Sequence, residues 1–148
     1  MERKKVMSAF SGALLAIIFL AVPVMGADWV EYSGDDEGAY SYKIEKVSRG
    51  KGRHLVSVLD MKVFSTLGRK KHIQDLAQFG FSTAGYDKLH NLKVQVEIDC
   101  RKKSSRALTL TKYDTAGKTL YTQVYEKPEW TYMQPGSIWD VLRLKVCN

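Results

Sequence analysis

Few residue groups in this chain have the types and spacing that chemistry needs. His54, His72 and His90 are the only histidines and stand 18 positions apart, at 54, 72 and 90. A metal site usually draws two ligands from one helix or hairpin at short spacing, so these read as exposed or strand-end side chains. No serine sits in a G-x-S-x-G elbow, and no Ser/His/Asp grouping suggests itself. Asp35, Asp36 and Glu37 lack the ligand pattern of a calcium loop and read as a solvated turn. No pair of carboxylates is singled out for acid–base work. The residues point to a protein that is not an enzyme and uses no cofactor or metal.

Two kinds of residue remain. The cysteines, Cys100 and Cys147, are the only two in the chain. Three basic clusters stand out: Arg49/Lys51/Arg53, Arg69/Lys70/Lys71 beside His72, and Arg101/Lys102/Lys103/Arg106. On one face they would form a patch for an anionic polymer. Apart from one another they are solvated, lysine-rich loop ends. The candidate binding surface is taken from the first and third: Arg49, Lys51, Arg53, Arg101, Lys102, Lys103 and Arg106.

Compartment decides how the cysteines behave. Arg3, Lys4 and Lys5 precede an uncharged run from Val6 to Ala27, which Pro23 breaks just before Val24-Met25-Gly26-Ala27. That is the pattern of a secretory signal peptide over residues 1–27, with cleavage after Gly26 or Ala27. The alternative is an uncleaved membrane anchor, which an uncharged run of this length could form. Pro23 beside small residues favours cleavage, leaving a mature domain at 28–148 that meets the membrane only through its transient leader. Expected locations are the periplasm, the outer surface or the medium. No cysteine near the cleavage point offers a lipid attachment.

In an oxidising compartment, two cysteines are most simply one disulfide, Cys100–Cys147. The whole chain carries +7. Residues 1–27 hold three cations and one acid, which leaves +5 for the mature part. That charge favours anionic surfaces, such as polysaccharide, lipid head groups or nucleic acid, without selecting among them, and export then argues against nucleic acid.

The elements that position these groups read mainly as strands. Asp28 to Tyr32 is a short strand ended by a Gly- and acid-rich turn at 33–38. Ala39 to Val47 and His54 to Phe64 flank a basic hairpin tip at 49–53, and Leu55, Leu59, Met61 and Val63 share one face of the longer strand. Leu92, Val94, Val96, Ile98 and Cys100 alternate with Lys93, Gln95, Glu97 and Asp99, the mark of a sheet with one dry and one wet face. Residues 101–106 read as a connection. Ala107 to Tyr113 and Leu120 to Tyr125 form a hairpin around Asp114-Thr115-Ala116-Gly117. Between 65 and 90, Arg69 to Phe79 could be a helix cut short by Gly80 and Gly85. A long surface excursion with one or two helical turns fits equally.

A terminal helix starts at Ser137 as its cap, with Asp140 three residues on in a capping-box-like arrangement. Ile138, Trp139, Val141, Leu142 and Val146 cover a wide apolar arc. On an ideal helix Cys147 falls on the far side with Asp140 and Arg143. Bridging then requires the last turn to unwind, unless the pairing is wrong.

Trp29-Val30, Tyr40-Ser41-Tyr42, Glu97-Ile98-Asp99-Cys100, Tyr113-Asp114 with Gly117, Glu129-Trp130, Pro135-Gly136-Ser137 and Cys147 occur in the order found in one family. Through them the mature chain resembles the bacterial surface-adhesin protein E-like family. The resemblance implies an α+β fold, an antiparallel sheet of about six strands with a C-terminal helix packed on one face, and the bridged cysteines. It also implies a non-catalytic binding role at the cell surface, toward extracellular-matrix protein. The chain departs from the pattern in lacking a lipid-attachment cysteine, and residues 65–90 carry no matching motif. The second reading is a periplasmic protein that holds a small ligand in the cleft between sheet and helix, or assists envelope assembly.

Overall fold

The computed structural model describes residues 29–148, so the signal-peptide reading of 1–27 lies outside the described residues. Six strands follow one another as an antiparallel meander: β1 (Val30–Asp35), β2 (Gly38–Gly50), β3 (Arg53–Phe64), β4 (Leu89–Asp99), β5 (Ser104–Asp114) and β6 (Thr119–Val124). A two-residue β7 (Thr131–Tyr132) rejoins β5 at Ser104 and Ser105. Helix α1 (Thr66–Gln78) lies between β3 and β4, and α2 (Ile138–Val146) ends the chain.

The turns follow from their residues. Asp35, Asp99 and Asp114 each close a strand, and the Oδ1 of each accepts two backbone N–H groups of the following turn. A short carboxylate at that position replaces the ladder bonds that the turn gives up. Between β2 and β3 only Lys51 and Gly52 intervene, both at positive φ (42° and 79°). That geometry matches the twist of the flanking strands.

The alternation in β4 is realised as read. Val94, Val96 and Ile98 are buried with Val56 and Val58 of β3, under Leu142 and Val146 of α2 and Met133. The face of β3 shared by Leu55, Leu59, Met61 and Val63 is the opposite one, and those residues are only half-buried. β3 is apolar on both faces, so its sequence alone does not say which is inner. β4 starts earlier than its apolar alternation, at Leu89, after a 3₁₀ turn at Tyr86–Lys88.

The Cys100–Cys147 disulfide forms, with the Cα atoms 5.6 Å apart. The helix does not unwind to reach it. Instead α2 is rotated from the orientation its apolar residues suggest: Asp140, Leu142 and Val146 are buried, and Leu144 is exposed. The stripe Asp140–Arg143–Cys147 can turn inward because its charges satisfy each other. Arg143 donates to Asp140 Oδ1 from Nε (2.9 Å) and Nη2 (2.7 Å), and Gly136 N–H donates to Asp140 Oδ2. A paired, hydrogen-bonded carboxylate costs far less to bury than a bare one. Ser137 caps the helix as expected, its Oγ accepting the Asp140 N–H.

Within the segment 65–90 the helix is realised over Thr66–Gln78, and an irregular exposed stretch follows it to the 3₁₀ turn at Tyr86–Lys88. Ser65 caps α1 by accepting the Gly68 N–H, and it donates its own hydroxyl to Asp36 O. Only Gly68 of α1 is buried. A Cβ there would sit 1.9 Å from Glu37 O, so close approach of helix to turn requires glycine. The rest of the docking is by rings and cations. Lys62 lies over Tyr40 and Phe64, His72 packs between Phe64 and Tyr86, and Lys112 lies over Tyr86 and Tyr121. This ladder crosses the helix-bearing face at the end opposite the basic hairpin tip. Lys112 is 6% exposed there, and among the described residues it makes no ion pair.

Candidate functional site: the basic end of the sheet

Registration of β3 on β4 places Leu55 opposite Asp99, which brings the β2–β3 tip beside the β4–β5 turn. Cys100 N–H donates to His54 O at 2.9 Å, and a methyl added at Gly52 would lie 3.8 Å from the Arg101 guanidinium. Arg49, Lys51, Arg53, Arg101, Lys102 and Lys103 therefore occupy one end of the sheet, and among the described residues Arg49 alone of these side chains makes a hydrogen bond, to His54. Arg106 departs from its sequence reading. It belongs to β5 rather than to a loop, since the connection is only 100–103. Its Nε and Nη2 both reach Glu97 Oε2 at 2.6 Å, and its guanidinium lies 4.6 Å from the centre of the Trp130 ring.

The second basic cluster, Arg69/Lys70/Lys71, is not part of this end. Arg69 donates to Leu89 O and Lys71 pairs with Glu37, so both serve the docking of α1 at the far end of the sheet.

Both turns at the basic end hold a lysine in the left-handed region, Lys51 at φ 42° and Lys103 at φ 52°. A side chain there costs about 1 kcal/mol, and glycine would fit without strain. Keeping lysine at both turns spends stability on charge. Lys51→Gly and Lys103→Gly are each expected to raise stability by about 0.5–1 kcal/mol in urea unfolding.

A second concavity was not located by motif. It measures about 610 Å³ and lies between the β5 edge, the segment 125–134 and the first turn of α2. Val96, Ala107, Tyr125, Pro128, Met133 and Trp139 supply much of its wall. It opens because β6 leaves β5 after Val124 and β7 returns only at Ser105. Irregular segments carry no period, so only Pro128 and Pro135-Gly136, which keep the strap out of regular structure, could have signalled it.

Among the described residues, no group of three or more His, Cys, Asp or Glu is placed to hold a metal ion. No helix among them is long and apolar enough to cross a membrane. The family model of surface-adhesin protein E matches residues 29–148. No curated protein and no solved structure matches the chain.

Proposed function

This chain belongs to the surface-adhesin protein E family, and on that premise we propose that it is an exported, non-catalytic binding module. Its basic end engages an extracellular-matrix protein or an anionic polysaccharide. The observation that carries the reading is the meeting of two basic turns, distant in sequence, at one end of a rigid sheet. Cations gathered on two short turns raise the local concentration of a polyanion, and the turns hold their backbones in place even though each exposed side chain loses freedom on binding.

The test is binding of the processed protein to surfaces coated with matrix protein or heparin. Binding should fall steeply between 0.1 M and 1 M salt, where the screening length contracts from about 10 Å to about 3 Å. Replacing Arg49, Lys51, Arg53, Arg101 and Lys102 together by glutamate should abolish it. Absence of binding to either surface at low salt would overturn the reading.

The cleft of about 610 Å³ supports the second reading, a periplasmic protein holding a small ligand between sheet and helix. Its volume lies within the range of sites that enclose a small molecule, roughly 300–1,000 Å³. Native mass spectrometry of gently purified protein should then show a retained apolar compound. Fractionation should find the protein wholly in the periplasm.

A further inference from the structure

The basic end contains a built pocket as well as a charged rim. Arg53 and Leu55 of β3, Asp99 of β4, Lys102 of the turn, Ser104 and Arg106 of β5, and Trp130 enclose about 190 Å³. That is below the roughly 300–1,000 Å³ of pockets that hold a whole ligand. It is room for one ring or one substituent of a longer molecule.

The groups around it are unequal. Arg106 is already committed, its fork closed on Glu97 and its plane against Trp130. Asp99 is 5% exposed, and its Oδ1 accepts the N–H groups of Arg101 and Lys102. Arg53 and Lys102 are exposed and make no ion pair among the described residues. Trp130 has one side of its ring occupied by Arg106 and remains 41% exposed. Two uncommitted cations from different elements thus stand beside a fixed aromatic plane.

We infer that this pocket is the subsite for a single sulfated sugar residue of a polyanionic glycan, an inference that rests on the basic-end reading above. The sulfate is shared by Arg53 and Lys102, and the apolar face of the pyranose ring lies on Trp130. Sulfate suits the pair better than carboxylate. Its oxygens do not lie in one plane, so it can accept from cations on two sides. A planar carboxylate would be met by the fork of Arg53 alone, since that of Arg106 is taken, and would leave Lys102 without a share. An isolated inorganic anion would leave Trp130 without a role.

The experiment is calorimetric titration of the processed protein with heparin oligosaccharides and with hyaluronan, which carries carboxylates and no sulfate. Trp130→Ala removes no charge, so it should weaken heparin binding about tenfold with an unchanged salt slope. Trp130→Phe, which keeps a stacking plane and the fold, should restore most of the loss. Lys102→Ala should weaken binding and flatten the salt slope. Lys51→Ala, at the same end but outside the pocket, should cost less than about twofold.

If both Trp130 variants bind as the unaltered protein does, the pocket assignment falls while the basic end stands. Equal affinity for hyaluronan would overturn the sulfate assignment. Loss of both polymers with matrix-protein binding intact would overturn the saccharide assignment alone. Loss of all three would overturn the basic-end reading too.

Discussion

The double variant Cys100→Ala/Cys147→Ala is expected to be less stable than the unaltered protein by about 4 kcal/mol, the largest single effect foreseen for this fold. The bridge joins positions 47 apart, and opening it frees that stretch in the unfolded chain. Against a total of roughly 5–15 kcal/mol, the loss is a major share. It falls first on α2, a helix of nine residues that is too short to persist on its own. Without the bridge, the packing of Trp139, Leu142 and Val146 holds α2 to the sheet, and the Ser137 cap steadies the helix itself. Urea unfolding should show a midpoint lower by about 2 M, from typical denaturant slopes of a domain this size. A shift under about 0.5 M would mean that packing alone holds the helix.

The same bond bears on binding. Cys100 lies in the turn that carries Arg101, Lys102 and Lys103, so the disulfide fixes the end of α2 to the basic end. Reduction should weaken polyanion binding before it abolishes the strand signal in circular dichroism. Simultaneous loss of both would show that the turn has no independent dependence on the bridge.

What was legible in the sequence had a period or a pairing rule behind it. The alternation from Leu92 to Cys100 named the dry face of β4, and the structure buries Val94, Val96 and Ile98 there. Two cysteines allow one bridge, and it forms. The rotation of α2 was not legible, because Asp140 and Arg143 read as solvent-facing until each is known to neutralise the other. Helix α1 was ambiguous for a different reason. It is held by the fit of Gly68 against Glu37 and by the ring of His72, neither of which leaves an apolar stripe. The meeting of Arg53 with Lys102 depends on the register of β3 on β4, and that pairing spans the long connection holding α1, so sequence spacing does not reveal it. Trp130 carries no signal beyond its place in the family motif, because its partner Arg106 follows a lysine- and serine-rich stretch that looks like a loop and yet lies in β5.

Between pH 4 and 6.5 the stability of the unaltered protein is expected to change little, because two buried groups oppose each other. Asp60 sits on the core face of β3, 6% exposed, and accepts the Tyr32 hydroxyl at 2.9 Å. Burial pushes its carboxyl up to about 6, against the Tyr32 hydrogen bond that lowers it. The native state thus keeps a proton that the unfolded chain has released, so stability falls as pH rises from about 4 to about 6. His72 runs the other way. Burial, with Lys112 and Lys62 close by, lowers it to about 4, and Asp75 offsets this only in part. Its Nε2 is buried without a hydrogen-bond partner. Here the unfolded chain takes up the proton first, so stability is complete above about 6.5 and is lost as pH falls toward 4. The Asp60 contribution is on the order of 3 kcal/mol, and that of His72, which is only half-buried, is smaller because solvent screens it. Asp60→Asn keeps an acceptor for Tyr32 and removes the buried charge. It should stabilise the protein at neutral pH and leave the His72 slope exposed, so that stability drops on acidification. His72→Phe keeps a ring between Phe64 and Tyr86, and should leave the Asp60 slope, so that stability rises on acidification from pH 6 to 4. Urea midpoints of the two variants at pH 4, 5, 6 and 7 should therefore tilt in opposite directions. Parallel profiles would show that these two side chains do not set the pH response of the fold.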